Sequence, residues 1–249
     1  MPVPKSKKHP VTAPDPVHAE KLTDEIGVLK VAMFPGVVGI DVAKDIDRGI
    51  ASLNRCSRLI VDLRGNTGGG IGGLRLMSYL TPGKLEVGYS LTRKRRERGY
   101  HREELTRFGR IPSRKATLFW LAARYAFVEK SILVVTEGLG ERRFHGRVVL
   151  LVNEHTASAG EMVAAFAEEN NLATIVGTKT PGRLLSGSAF KVGHGYILGL
   201  PVAGYLTWQG RMLENNGITP AVSTDLSRDA LREGKDTQLE KAVEVVDNL

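Results

Sequence analysis

Apolar residues recur along this chain in two distinct periods. Residues 27–34 (GVLKVAMF), 59–63 (LIVDL), 147–153 (RVVLLVN) and 173–177 (ATIVG) are short apolar runs bounded by turn-forming residues. Such runs predict strands, and the unbroken ones predict strands covered on both faces. Between them the period lengthens. Val38, Val42, Ile46 and Ile50 fall on one helical face of residues 37–52. Further helices are predicted over 72–80, stopped by Thr81-Pro82-Gly83, over 116–127, from Ser158 to about Glu169, and over 239–246. After Gly182 the pattern changes again. Residues 189–192 and 196–200 flank Gly193-His194-Gly195, a hairpin signal, and 202–208 predicts one more strand. The alternation of strand and helix from 27 to 177 predicts an α/β fold with a mainly parallel sheet, helices on its faces, and a C-terminal hairpin region. No internal repeat or second domain is evident.

Composition sets the limits. With 249 residues, 42% of them hydrophobic, the chain suits one large domain, or one domain with a short appendage. No apolar run approaches the ~18 residues that would span a bilayer. The first residues, MPVPKSKKHPVTAPDPVH, are rich in Pro and Lys and lack the apolar stretch of a secretory signal. Residues 1–24 therefore read as a disordered leader or the cut end of a longer protein, and 25–249 as the core. The single cysteine, Cys56, excludes an intramolecular disulfide and reads as a small buried hydrophobe.

Charge changes the picture in one place. Residues 93–115 hold ten basic residues against three acidic ones, a net +7 out of the chain's +8. The remainder is nearly neutral, which argues against a nucleic-acid-binding domain. The segment reads as a basic insert: a solvated helix and loop, or a surface for an anionic partner or lipid headgroups.

The candidate chemistry lies beyond two strand ends, where open α/β sheets place their sites. One is His155-Thr156-Ala157-Ser158-Ala159-Gly160-Glu161. Ser158 is a candidate nucleophile at a strand-to-helix turn, and the Ala159 N–H, at the helix N-terminus, suits an oxyanion. The alternative is that Ser158 or Thr156 only caps the helix, with Glu161 in the capping-box position for Ser158. The other end is Arg64-Gly65-Asn66-Thr67-Gly68-Gly69-Gly70, whose glycine amides suit an anion or form a tight turn. Its spacing departs from the dinucleotide-binding fingerprint. Asp62 and Arg64 flank this turn and can pair to hold it. No His, Cys, Asp and Glu group has metal-ligand spacing, so neither metal nor cofactor is expected.

The strings LIVDLRGNTGGG, VLLVNEHTASAGEMVAAFAEEN, ATIVGTKTPGR and GRMLENNGITP, in this order, resemble the S41 serine peptidases, the C-terminal processing (tail-specific) and tricorn-like peptidases. The resemblance runs from about Gly27 to Val222. It implies a ClpP/crotonase-like core of stacked ββα units. It also implies that Ser158 is the nucleophile, with an oxyanion hole made by the Ala159 N–H and a glycine N–H from Gly68 or Gly69. The substrate it implies is a peptide or protein. The family is often periplasmic or exported, and usually carries a PDZ domain ahead of the core.

The pattern departs from the family at the base. The processing branch has a lysine 25 residues past the serine, and here that position is Arg183. Arginine stays protonated in proteins, so Arg183 could orient a carbonyl or stabilise negative charge but not take a proton. The tricorn branch has a histidine base with a carboxylate in a string like that of Leu213-Glu214-Asn215-Asn216-Gly217, which assigns the carboxylate to Glu214. His9 and His18 are poorly framed for the histidine. Lys179, Lys30, His155, His145 and His194 are the remaining base candidates. Tyr205 and Trp208 either guide an extended peptide or pack in the core. Three readings follow: a serine endopeptidase, a non-catalytic peptide-binding relative that lost its base, and a crotonase-type acyl-CoA enzyme, which the S-A-G-E and E-N-x-G strings disfavour.

Overall fold

Leu59 and Val61 lie in one hydrophobic cluster while Ile60, between them, lies in another. The same division separates Val148, Leu150 and Val152 from Val149 and Leu151. Alternate residues of each strand thus serve opposite faces, which is why these strands are apolar throughout. The computed structural model describes residues 15–36, 39–112 and 131–249.

The main sheet has six strands in the order β1-β2-β3-β7-β8-β11. They are β1 (Val17–Lys21), β2 (Ile26–Val31), β3 (Arg58–Asp62), β7 (Arg147–Val152), β8 (Thr174–Gly177) and β11 (Val222–Ser223). All neighbours from β2 to β11 are parallel, and β1 runs antiparallel to β2 at the edge. Helices α1 (Ile40–Ser52), α2 (Gly73–Leu80) and α4 (Ala159–Glu169) share the larger cluster on one face. A short helix α5 (Arg228–Arg232) precedes the terminal helix α6 (Thr237–Asn248), which covers the other face through Ala242 and Val246. The predicted mainly parallel α/β sheet is present.

β1 places Val17–Lys21, which the sequence reading grouped with the leader or cut end, in the main sheet. Val17 and Ala19 pack against the core beside Gly49 of α1, and the strand pairs with β2 along its whole length. Its burial of alternate small apolar residues was hidden by the Pro-rich sequence before it.

A second, five-stranded sheet has the order β5-β6-β4-β10-β9. Its strands are β4 (Glu86–Thr92), β5 (Thr106–Phe108), β6 (Ile132–Val135), β9 (Leu185–Lys191) and β10 (Ile197–Thr207). The predicted hairpin is β9 and β10, and the strand predicted over 202–208 is the continuation of β10. The basic insert is more ordered than a solvated helix and loop. It holds the exposed helix α3 (Arg93–Arg98) and then β5, which pairs in parallel with β6. The helix predicted over 116–127 lies outside the described residues, as does His9. Cys56 is buried in the main core.

Candidate active site

The adjacent strands β3 and β7 end together, and their two loops are laced to each other. Asn153 Oδ1 accepts the N–H groups of Gly65 at 2.9 Å and His155 at 3.1 Å. The Thr156 hydroxyl donates to the Leu63 carbonyl at 2.8 Å, and the Ala157 N–H donates to the Asn66 carbonyl at 2.8 Å. Arg64 grips both carboxylate oxygens of Asp62 at 2.9 and 2.8 Å and reaches Asp236 before α6. The expected Asp62–Arg64 pair is therefore formed. Burial alone would lower the pKa of Arg64, but its bonds to the two carboxylates outweigh that and raise it.

Ser158 sits at the turn between β7 and α4 with φ 54° and ψ −119°. A residue with a side chain avoids this conformation unless its surroundings impose it. Here the surroundings are close. A Cβ placed on Gly68 would lie 2.5 Å from the Ser158 Cβ and 2.8 Å from the Ala159 nitrogen, so only glycine lets the two loops meet. Gly69 is bridged to Phe34, just past β2, by hydrogen bonds on either side of it: Phe34 N–H to the Gly68 carbonyl and Gly70 N–H to the Phe34 carbonyl, both 2.8 Å.

Asn66 narrows the expected oxyanion hole. Its buried Oδ1 accepts the Gly68 N–H at 2.8 Å, while its amide donates to the Val31 carbonyl at 2.8 Å. The Gly68 amide is thus occupied. The Ala159 and Gly69 N–H groups have no acceptor among the described residues. An Asn bonding the N–H two residues on is the Asx turn, and Asn66-Thr67-Gly68 carried that signal.

Glu161 does more than cap. It is fully buried, and its carboxylate receives four donors. Oε1 accepts the Thr180 hydroxyl at 2.6 Å and the Gly182 N–H at 2.7 Å; Oε2 accepts the Arg183 N–H at 2.9 Å and the Ser158 N–H at 3.1 Å. The Ser158 N–H also lies 3.0 Å from the Arg183 carbonyl. Glu161 thereby ties the Thr180–Arg183 loop to the Ser158 turn.

Arg183 and Glu214 come together on one groove of about 620 Å³ with Leu185, Leu200 and Pro201. The Arg183 side chain is exposed and makes no ion pair among the described residues. Glu214 Oε2 accepts the Leu184 N–H at 2.7 Å and meets no histidine among the described residues. The other base candidates lie elsewhere. His155 is exposed and 3.6 Å from Glu154, His145 bonds the Glu141 carbonyl, and His18 is 3.9 Å from Glu20. His194 occupies the hairpin turn, and Lys30 and Lys179 are exposed. None of these hydrogen-bonds Ser158. Tyr205 is buried with its hydroxyl on the Val87 carbonyl, and Trp208 lies under the Arg102 guanidinium at 3.9 Å. Both aromatics pack rather than line the groove. No group of three or more His, Cys, Asp and Glu among the described residues could hold a metal ion. No helix among them is long and apolar enough to cross a membrane.

The sequence profile of peptidase family S41 matches residues 25–224. The chain belongs to peptidase family S41. Within the family, the carboxy-terminal processing protease CtpA of Bacillus subtilis (strain 168) is 26% identical over 212 residues, covering 84% of this chain and 37% of that protein. The chain therefore spans well under half the length of this curated relative. The solved photosystem II D1 C-terminal processing protease superposes with a TM-score of 0.61 at 18% identity, over 93% of this chain and 52% of that one. The tricorn protease superposes with a TM-score of 0.58 at 20% identity, over 88% of this chain and 17% of that one. These S41 structures share the mixed α/β fold and its mainly parallel sheet. The alignment span reaches from just before β2 to β11, so it takes in both strand-end loops, the Glu161 carboxylate and Glu214.

Proposed function

We propose that this S41 chain is the catalytic core of a serine endopeptidase with Ser158 as its nucleophile. The observation that carries the reading is the conformation of Ser158: a positive φ at the first turn of α4, held against Gly68. A capping serine needs no such strain, because a cap residue ordinarily adopts an extended backbone. In this reading the core is ClpP/crotonase-like, built of stacked ββα units. Ser158 Oγ attacks the carbonyl carbon of a peptide bond as its proton passes to a base. The oxyanion lies against the Ala159 and Gly69 amides, the amine leaves with a proton, and water then hydrolyses the acyl-enzyme. Arg183 orients the substrate carbonyl or offsets developing charge. Glu214 orients a base supplied from beyond the described residues. The exposed groove beside Arg183 takes the peptide.

A second reading has its own support. The position of the family's lysine carries Arg183, and no histidine or lysine among the described residues bonds Ser158. A relative without a base would bind peptide in the groove and leave it intact. A crotonase-type enzyme would instead bind acyl-CoA tightly. A fluorophosphonate probe separates these readings. Labelling of the wild type that Ser158→Ala abolishes supports the peptidase. An unlabelled full-length protein that still binds peptide supports the binder.

A further inference from the structure

A second cleft, of about 490 Å³, opens between α1, α2 and the segments that follow β5 and β6, and none of its lining residues belongs to the Ser158 site. Its floor is a fixed charge network. Arg75 is 13% exposed; its Nη1 meets both Asp47 oxygens at 3.0 and 2.8 Å, and its Nε and Nη2 meet Glu137 at 2.6 and 3.2 Å. The Tyr79 hydroxyl donates to Asp47 at 2.7 Å, and the Ile111 N–H donates to Glu137 at 3.0 Å. Two carboxylates facing one guanidinium leave this floor at −1.

The rim reverses that sign. Lys44, Lys84, Arg110 and Arg142 line the same cleft, all four are exposed, and none makes an ion pair among the described residues. They bring the lining to a net +3. They arrive from four separate segments, and only Arg110 belongs to the basic run of the sequence. Their backbones are anchored. The residues on either side of Lys84 hydrogen-bond the Thr136 hydroxyl, Ile111 next to Arg110 bonds Glu137, and the Arg142 N–H bonds the Leu139 carbonyl. Four cations with no ion-pair partner among the described residues, held on anchored backbone around the Arg75 floor, repel one another until an anion enters. The volume falls in the range of small-molecule sites, and Ile40, Ile111 and Leu139 give the wall an apolar portion.

We propose that the cleft framed by Lys44, Lys84, Arg110 and Arg142 binds a small ligand carrying at least two negative charges, of the phosphate-ester or pyrophosphate class. Titration calorimetry with inorganic pyrophosphate tests it at near-physiological salt. The wild type is compared with Lys84→Gln/Arg110→Gln and with Lys94→Gln/Arg98→Gln, which removes the same charge from α3. The expected result is saturable one-site binding that weakens about tenfold or more in the cleft variant and is unchanged in the α3 variant. Lack of saturable binding by the wild type overturns the proposal, and so does equal weakening in both variants, which would show only diffuse attraction. If the double variant does not fold, Lys44→Gln, at an exposed position of α1, reads the loss of binding instead. None of these outcomes depends on Ser158 being a nucleophile.

Discussion

The Cβ of Ser158 occupies the space that a Cβ on Gly68 would need, the two positions lying 2.5 Å apart. The serine turn and the glycine turn therefore fit only with hydrogen at position 68, and that residue also holds φ +89°. Gly68→Ala is expected to cost about 2–4 kcal/mol, from strain at positive φ plus the clash, and to abolish probe labelling of Ser158. Urea unfolding and labelling rates measured on the same samples check both parts.

Strain at Ser158 has a separate signature. Replacing the side chain with none relieves an unfavourable backbone that costs roughly 1–3 kcal/mol, while glycine's extra freedom in the unfolded chain takes back about 0.5–1. Ser158→Gly should therefore be more stable than Ser158→Ala by about 1 kcal/mol. Equal denaturation midpoints for the two variants would show that the turn is not strained.

Glu161→Gln keeps the shape of the side chain but exchanges one acceptor oxygen for an NH2 facing donors. A buried group left facing donors costs several times more than an ordinary exposed substitution. The expected loss is about 2–4 kcal/mol, read from chemical denaturation, with slower labelling of Ser158 because its N–H loses an anchor.

The Arg64 clamp predicts an acid limb of stability. Burial works to raise the pKa of Asp236, but its hydrogen bond from Arg64 and the N–H of Leu239 together hold it below the usual carboxylate value. A folded pKa below the unfolded one gives stability that is present above about pH 4 and lost as pH falls through the folded pKa. Asp236→Asn, which also weakens the cap of α6, should cost about 1–2 kcal/mol at pH 7. Its stability should also fall less steeply than the wild type's below pH 4. Unfolding midpoints between pH 2.5 and 7 test the slope.

Arg183→Lys asks whether the base position is intact. A well-placed general base contributes roughly 10²–10⁴ in rate. If position 183 stands where the family's lysine stands, the variant should label or hydrolyse at least about tenfold faster than wild type. No gain would remove this position from the catalytic machinery.

The main sheet was legible because LIVDL and RVVLLV are apolar on both faces, a pattern that only a covered parallel strand requires. The Ser158 turn and the glycine turn were legible for a similar reason: small residues must stand where backbone meets backbone. The second sheet was legible only in its β9–β10 hairpin. β4 passes into the arginines of α3 with no turn residue between them, and β6 has only four residues. Glu161 could be seen as a cap three residues after Ser158, but its partners at Thr180, Gly182 and Arg183 come from a loop that no local spacing connects to it. The cleft around Arg75 was likewise invisible, since its cations are scattered over nearly a hundred residues and meet only after folding.

The four donors on Glu161 have one more consequence. Three of them come from the Thr180–Arg183 loop, so withdrawing that loop would leave the buried carboxylate with the Ser158 N–H as its one remaining donor of the four. The position of that loop and the charge state of Glu161 are therefore coupled: a carboxylate so stranded would have to take up a proton or draw in water.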